Sequence, residues 1–291
     1  MTTTNLQNPW RYVQADSIKD NPYLNPPKDK KENGKKPTED AAPTGTPTVI
    51  TCAADFLLLE NIICVDSNNN PFEQYDKLQV RKDIFREANG GQVNLTPYNA
   101  AVRCQQNGLF LPSFALSCAI VTKLYQAAVK KESNGTYKTL NPDAKKVLDQ
   151  YKDNGTRIGF HAQSTVINWS TQEIIHYPRD ADFPVRGGAH NINQSQARKA
   201  FRFNEAGFSN STLADALTKP EFKKYVQNLT GLNDPSVLVR LGEYFGQPAH
   251  VWPSSNDTIK GTWLGCNGAH FILNGNYYLY VNLAARGIKR A

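Results

Sequence analysis

Hydrophobic and polar positions alternate differently along successive stretches of this chain. Residues 1 to about 48 carry no period that could bury a face: Pro26-Pro27, the mixed-charge run Lys28 to Lys36 and Ala41 to Pro47 dominate them. They are expected to form a disordered N-terminal tail. Trp10, Tyr12 and Tyr23 offer it a docking handle. From Thr48 the pattern tightens. Val49-Ile50, Phe56 to Leu59 and Ile62 to Val65 are short β-prone runs, stopped by Asp66 to Pro71. Two helices follow. Thr96 reads as an N-cap with Pro97 at the first helical position, and Gly108 sits where a helix ends. Pro112-Ser113 opens the second, whose apolar stripe is Phe114, Cys118, Val121, Leu124, Tyr125 and Val129.

Beyond residue 132 a short helix is predicted from Asn141-Pro142 to Tyr151, then a β-hairpin over Arg157 to Tyr177. Three helical segments come next: Thr212 to Leu217, Pro220 to Leu229, and Pro235 to Phe245 with Asp234 as N-cap and Gly246 after its end. The C-terminal window reads as strands over Thr262 to Cys266, Phe271 to Leu273 and Tyr277 to Leu283. Asn267-Gly268 and Asn274-Gly275-Asn276 are its turn signals. No internal repeat is visible. The expected fold class is α+β.

Composition narrows the function. The 291 residues are enough for a substantial core. The net charge of +7 is scattered rather than gathered in an aromatic-interleaved basic stripe, so nucleic acid is not the expected partner. No apolar run approaches the roughly 20 residues of a membrane span. The start, MTTTNLQNPWRY, lacks the apolar stretch of a secretory signal. An extracellular role would therefore need another route out, such as a virus particle; otherwise a cytoplasmic location is expected. Five cysteines without CxxC spacing (Cys52, Cys64, Cys104, Cys118 and Cys266) argue against a disulfide scaffold or a zinc site and for buried free thiols.

Residues 251–290 interleave two kinds of position. A frame of packing positions (Trp252, Trp263, Leu264, Gly265, Cys266, Phe271, Leu279, Ala284 and Ala285), which the resemblance below extends to Arg286 and Gly287, alternates with residues rich in Asn, Tyr, Gly and His. The second composition is that of an adaptable binding surface. The frame W…WLGC…F…YLY…AARGIKR resembles the variable region of diversity-generating retroelement target proteins, notably those of archaeal and phage-like elements. Residues 99–113, with Ala100, Cys104, Gly108 and Leu111-Pro112-Ser113, resemble the A-x-x-x-C-x-x-x-G-x-x-L-P-S/T opening of C-type lectin-like domains. Together the matches cover about a quarter of the chain.

The resemblance implies a C-type lectin-like fold of the formylglycine-generating-enzyme type over residues 49–291, with a helical and hairpin insertion at about 132–248 and a variable ligand-binding region at about 251–290. It implies a non-catalytic protein without cofactor or metal. Its C-terminal surface would be diversified by error-prone reverse transcription of adenines and would bind a protein or other ligand on a host or neighbouring cell. The positions open to change would be Pro253, Asn267, Gly268, Ala269, His270, Asn274, Asn276, Tyr277, Val281, Asn282 and Leu283. Strands near Phe56–Val65 and Val281–Lys289 would pair and close the domain.

Two other readings stand beside this one. In the first the chain is a viral or cell-surface structural protein, with the tail as docking arm for self-association or for attachment to a larger particle. In the second it is an oxidase of the formylglycine-generating type. That chemistry uses paired reactive cysteines near the C-terminus, and here Cys266 has no second cysteine after Cys118. His161, His176 and His190 show no HxH or HExxH spacing and read as structural or surface histidines.

Overall fold

β2 (Phe56–Val65) and β3 (Pro71–Arg81) form a long antiparallel hairpin, with Phe56 opposite Arg81 and Cys64 opposite Glu73. Its turn is knotted by Asp66, whose Oδ1 accepts the N–H groups of Asn68 and Asn70 at 2.8 and 2.9 Å. Leu57, Leu59, Leu78 and Val80 are buried on one side of this hairpin, but Ile62, Cys64, Glu73 and Tyr75 are buried beyond it. The inward-facing set thus switches parity at Asn61, a non-glycine residue with φ 53°. The computed structural model describes residues 51–52, 54–152, 161–177, 199–204, 208–253, 259–277 and 283–291. The expected tail, residues 1–48, lies outside them.

β1 (Thr51–Cys52) covers the outer edge of β2, and β13 (Ile288–Arg290) pairs with β3, setting Ile288 opposite Val80. The expected pairing of the C-terminal strand with Phe56–Val65 is therefore corrected. β2 spends its two edges on β1 and β3, and the last strand takes the free edge of β3 in the order β1-β2-β3-β13.

The two central helices form as their caps dictate. α1 (Pro97–Gln106) starts at Thr96, whose hydroxyl accepts the Asn99 N–H at 3.2 Å, and its end leads into Gly108 at φ 66°. α2 (Phe114–Ala128) starts at Ser113, whose hydroxyl accepts the Leu116 N–H at 3.1 Å. α2 is buried on every side from Phe114 to Val121, not along one stripe. A helix apolar all round belongs inside: α2 packs on β2, on α3 (Pro142–Asp149), on α5 (Pro220–Thr230) and on the larger sheet.

That larger sheet has seven strands in the order β8-β7-β6-β11-β12-β10-β9. They are β6 (His161–Asn168), β7 (Glu173–His176), β8 (Lys199–Arg202), β9 (Ser211–Thr212), β10 (Ala249–Trp252), β11 (Ile259–Cys266) and β12 (Phe271–Tyr277). β10 and β12 run parallel; the other pairs are antiparallel. β4 (Val129–Lys131) and β5 (Tyr137–Thr139) make a separate small hairpin. The stretch expected as an insertion thus supplies β6 and β7 to the same sheet as β11.

α4 (Leu213–Thr218), α5 and α6 (Ser236–Phe245) lie where the punctuation placed them. The expected cap of the last helix is corrected by one residue: Pro235 is the cap and the helix starts at Ser236, whose N–H Asp234 Oδ1 accepts at 3.0 Å from just outside. One sheet face, with Phe271, Leu273, Leu264, Cys266, Ile167 and Val251, joins the main core around α2. The opposite face packs Trp263, Ile272 and Ala162 against Ala100, Ala101 and Cys104 of α1 and against Phe85 and Ala285. Helices and a largely antiparallel sheet around shared cores make this an α+β protein.

Candidate binding surface

β11 and β12 carry the sequence-predicted site. The turn between them is built by Asn267. Its backbone N–H donates to the His270 carbonyl at 3.0 Å, and its Oδ1 accepts the N–H groups of Ala269 and His270 at 3.1 and 2.8 Å. Gly268 turns the chain at φ 89°, a region that favours glycine. Both residues are therefore committed to the turn, and their side-chain freedom is small. Ala269 and Gly268 are exposed, and Asn267 and His270 are half-buried.

β12 then alternates. Phe271 and Leu273 enter the core, and His270, Ile272, Asn274 and Asn276 share the other face, as a period of two requires. The expected turn at Asn274-Gly275-Asn276 is corrected: these residues continue the strand. Glycine stands there because of close approach, since a Cβ on Gly275 would lie 2.4 Å from Ile167 Cδ1 and 2.8 Å from the Tyr225 hydroxyl.

Three expected contact positions do not face solvent. Asn274 is 4% exposed, and its Oδ1 accepts the Asn276 N–H at 2.6 Å. Leu283 is 2% exposed and exchanges both backbone hydrogen bonds with Leu95, which draws it into the α1 side of the sheet. Pro253 is buried at the end of β10. Tyr277 closes β12 opposite Gly261, with its side chain outside the described residues. Val281 and Asn282 lie outside them altogether, as do Tyr278, Leu279 and Tyr280 of the frame.

The described frame is internal. Trp263, Leu264, Gly265, Cys266, Phe271, Ala284, Ala285, Arg286 and Gly287 are buried, and Trp252 is half-buried. A Cβ on Gly287 would fall 2.5 Å from Leu109 Cδ1. Arg286 is 2% exposed and donates to the Arg81 carbonyl and to Gln150 Oε1, with its guanidinium 5.8 Å from the Tyr151 ring centre. It fastens the C-terminal segment to the ends of β3 and α3.

The structure adds residues that spacing did not reveal. β10 lies beside β12 with His250 opposite Ile272, and the His250 and His270 rings come to 4.1 Å between centres. Burial, then the neighbouring His270, pushes His250 down to about 4, with Asp215 opposing; burial also lowers His270. Both imidazoles are neutral at neutral pH. Beside β10, a mostly apolar groove of about 410 Å³ is lined by Thr212, Val239, Glu243, Gln247, Pro248 and Ala249.

The remaining described histidines are internal. His176 Nε2 donates to the Asn228 carbonyl at 2.9 Å, which leaves Nδ1 bare to accept from the Thr165 hydroxyl at 2.9 Å. That hydroxyl oxygen in turn accepts the Phe114 N–H at 2.8 Å. His161 stacks on Tyr151 at 4.0 Å and donates from Nε2 to the Gln150 carbonyl at 3.2 Å. Burial pushes His176 down to about 4 and, with Arg286 adding to it, His161 to about 3. His190 lies outside the described residues. Cys64, Cys104, Cys118 and Cys266 are free and buried, and burial raises the Cys64 and Cys118 thiols. No helix among the described residues is long and apolar enough to cross a membrane.

Comparison of the chain with protein-family models, with curated proteins and with solved structures returns no match.

Proposed function

We propose that this chain is a non-catalytic binding protein of C-type lectin-like architecture. A protein or cell-surface ligand docks on the rim formed by the β11–β12 turn and the adjoining end of β10, and a retroelement diversifies that rim. The observation that carries the reading is the division of labour along β12. Phe271 and Leu273 are buried in the main core and Ile272 and Asn274 on the opposite face are buried too, while His270 and Asn276 at the two ends of that face remain partly exposed. Side chains in such positions change contact chemistry without repacking the interior.

Further support comes from the architecture. The first and last described strands belong to one small sheet, two capped helices follow its hairpin, and the larger sheet carries the presenting turn. The groove beside β10 widens the surface that a ligand could cover. Cys266 is fully buried, which gives the oxidase alternative no accessible thiol on β11.

The geometry narrows the exchangeable set within the described residues to Ala269, His270 and Asn276. Replacing these three together is expected to leave the melting temperature within a few degrees, because Ala269 is exposed and His270 and Asn276 are only partly buried, and changes away from a packed core typically cost about 0.5 kcal/mol each. Binding to cells or to displayed surface proteins should change at the same time. Unfolding of the triple variant, or unaltered binding, counts against the proposal. The genomic counterpart is a near-copy of codons 251–290, differing only at adenines, beside a reverse-transcriptase gene.

A further inference from the structure

Two imidazoles separated by twenty residues in sequence meet at the rim of the seven-stranded sheet. His250 sits on β10 opposite Ile272, and His270 precedes Ile272 by two positions, so both occupy the face that carries Trp252 and Asn274. Their ring centres are 4.1 Å apart, with planes inclined at 57°. Both residues are half-buried, and the Nδ1 atom of His270 is buried without a hydrogen-bond partner. A neutral imidazole keeps one bare nitrogen, the form that ligates metals.

We propose that His250 and His270 form a two-imidazole site for a divalent transition metal, taking Cu²⁺ or Ni²⁺ in preference to Zn²⁺. Metal–imidazole bonds of about 2.0–2.1 Å put a ring centre roughly 3.2 Å from the ion. Two rings at a right angle about the ion then stand roughly 4.5 Å apart, and two at a tetrahedral angle roughly 5.2 Å. The observed 4.1 Å is close to the first value and well short of the second. Small rotations of two half-buried side chains supply the remaining opening, while the paired strands hold their backbones in register. Right-angled nitrogen ligation suits Cu²⁺ and Ni²⁺, and the general affinity order of divalent metals also places Cu²⁺ above Zn²⁺.

Among the described residues no set of three His, Cys, Asp or Glu surrounds the pair, so water or a group from a bound ligand completes the coordination. Asp215 acts electrostatically on His250, while its carboxylate accepts the Thr212 hydroxyl at 2.6 Å. Its negative charge favours a cation at this rim without serving as a ligand. The site needs His270, a position that the binding reading above treats as exchangeable, so it belongs to chains that carry histidine there, as this one does.

The test is calorimetric titration of the full chain with Cu²⁺, Ni²⁺ and Zn²⁺ separately, repeated on H250A, H270A and the double variant, with K130A, at an exposed position on β4, as control. The expected result is one bound ion, with Cu²⁺ and Ni²⁺ tighter than Zn²⁺. Each single substitution should weaken binding by at least the roughly 10–100-fold typical of losing an outer-shell partner, and K130A should leave it unchanged. Equal affinity in the double variant, or no binding by the unaltered chain, overturns the site. Electron paramagnetic resonance of the Cu²⁺ form of the unaltered chain gives a readout independent of how the variants fold. Coupling to two imidazole nitrogens supports the site, and coupling to one or none overturns it.

Discussion

The Asn267 amide oxygen holds two backbone N–H groups of the β11–β12 turn. Asn267→Ala is therefore expected to cost about 1–2 kcal/mol in urea unfolding, because the turn loses two hydrogen bonds whose donors water can partly satisfy. Gly268→Ala adds strain at φ 89° and should cost about 1 kcal/mol or more, whereas Ala269→Ser should stay within about 0.5 kcal/mol. Equal costs at all three positions would remove the distinction between turn-forming and exchangeable residues. The composition of this turn was legible in the sequence, but the distinction was not. Asn is favoured both in adaptable contact surfaces and in turns, and only the direction of its amide separates the two uses.

The internal histidines give a pH signature at the same scale. The ordinary histidine value is near 6.5, but His176 and His161 are held at about 4 and about 3 in the folded chain. The unfolded chain thus takes up protons first. The stability these residues contribute is complete above about pH 6.5 and falls by about 1.4 kcal/mol per pH unit for each as the pH drops towards 4. Denaturant unfolding at pH 7 and pH 5 checks this. His161→Phe keeps the stack on Tyr151 and is expected to flatten the slope by about one proton.

At the scale of elements, caps and glycines were the reliable signals. Thr96, Ser113 and Gly246 act where their chemistry predicted, because a cap bonds within a few residues of itself. β3 went unread for a physical reason. Its apolar residues Phe72, Tyr75, Leu78 and Val80 do not follow a period of two, since the buried face switches sides opposite Asn61. Gly275 misled in the other direction. It resembles a turn residue, yet it lets β12 pass against Ile167 and Tyr225. Gly275→Ala is expected to destabilise by about 1–3 kcal/mol through overpacking, with the cost set by how far Ile167 and Tyr225 can give way. A neutral result in thermal unfolding would remove the close approach as the reason for glycine.

Across the whole molecule, Arg286 joins elements distant in sequence. It reaches the Arg81 carbonyl and Gln150 from a segment more than a hundred residues away from either. Arg286→Ala is expected to cost about 1–3 kcal/mol, because it strands the buried Arg81 carbonyl and Gln150 oxygen and leaves a void, and Arg286→Met less, since it keeps apolar volume. Comparable losses from the two substitutions would show that volume is not the difference between them. The sequence placed Arg286 in the frame without naming its partners, because a run such as Ala284-Ala285-Arg286-Gly287 states burial but not what is buried against it.

The sequence by itself determined the starts of the two central helices, the β-hairpin at residues 161–176 and the burial of the described frame residues of the C-terminal window. These rest on interactions within a few residues, where spacing and chemistry suffice. Only the tertiary structure decided that β13 joins β3, that Asn274 and Leu283 turn inward, and that His250 stands beside His270. Each of these depends on which strand occupies which edge and in what register. That choice is made by packing across the whole sheet, and no local stretch of sequence encodes it.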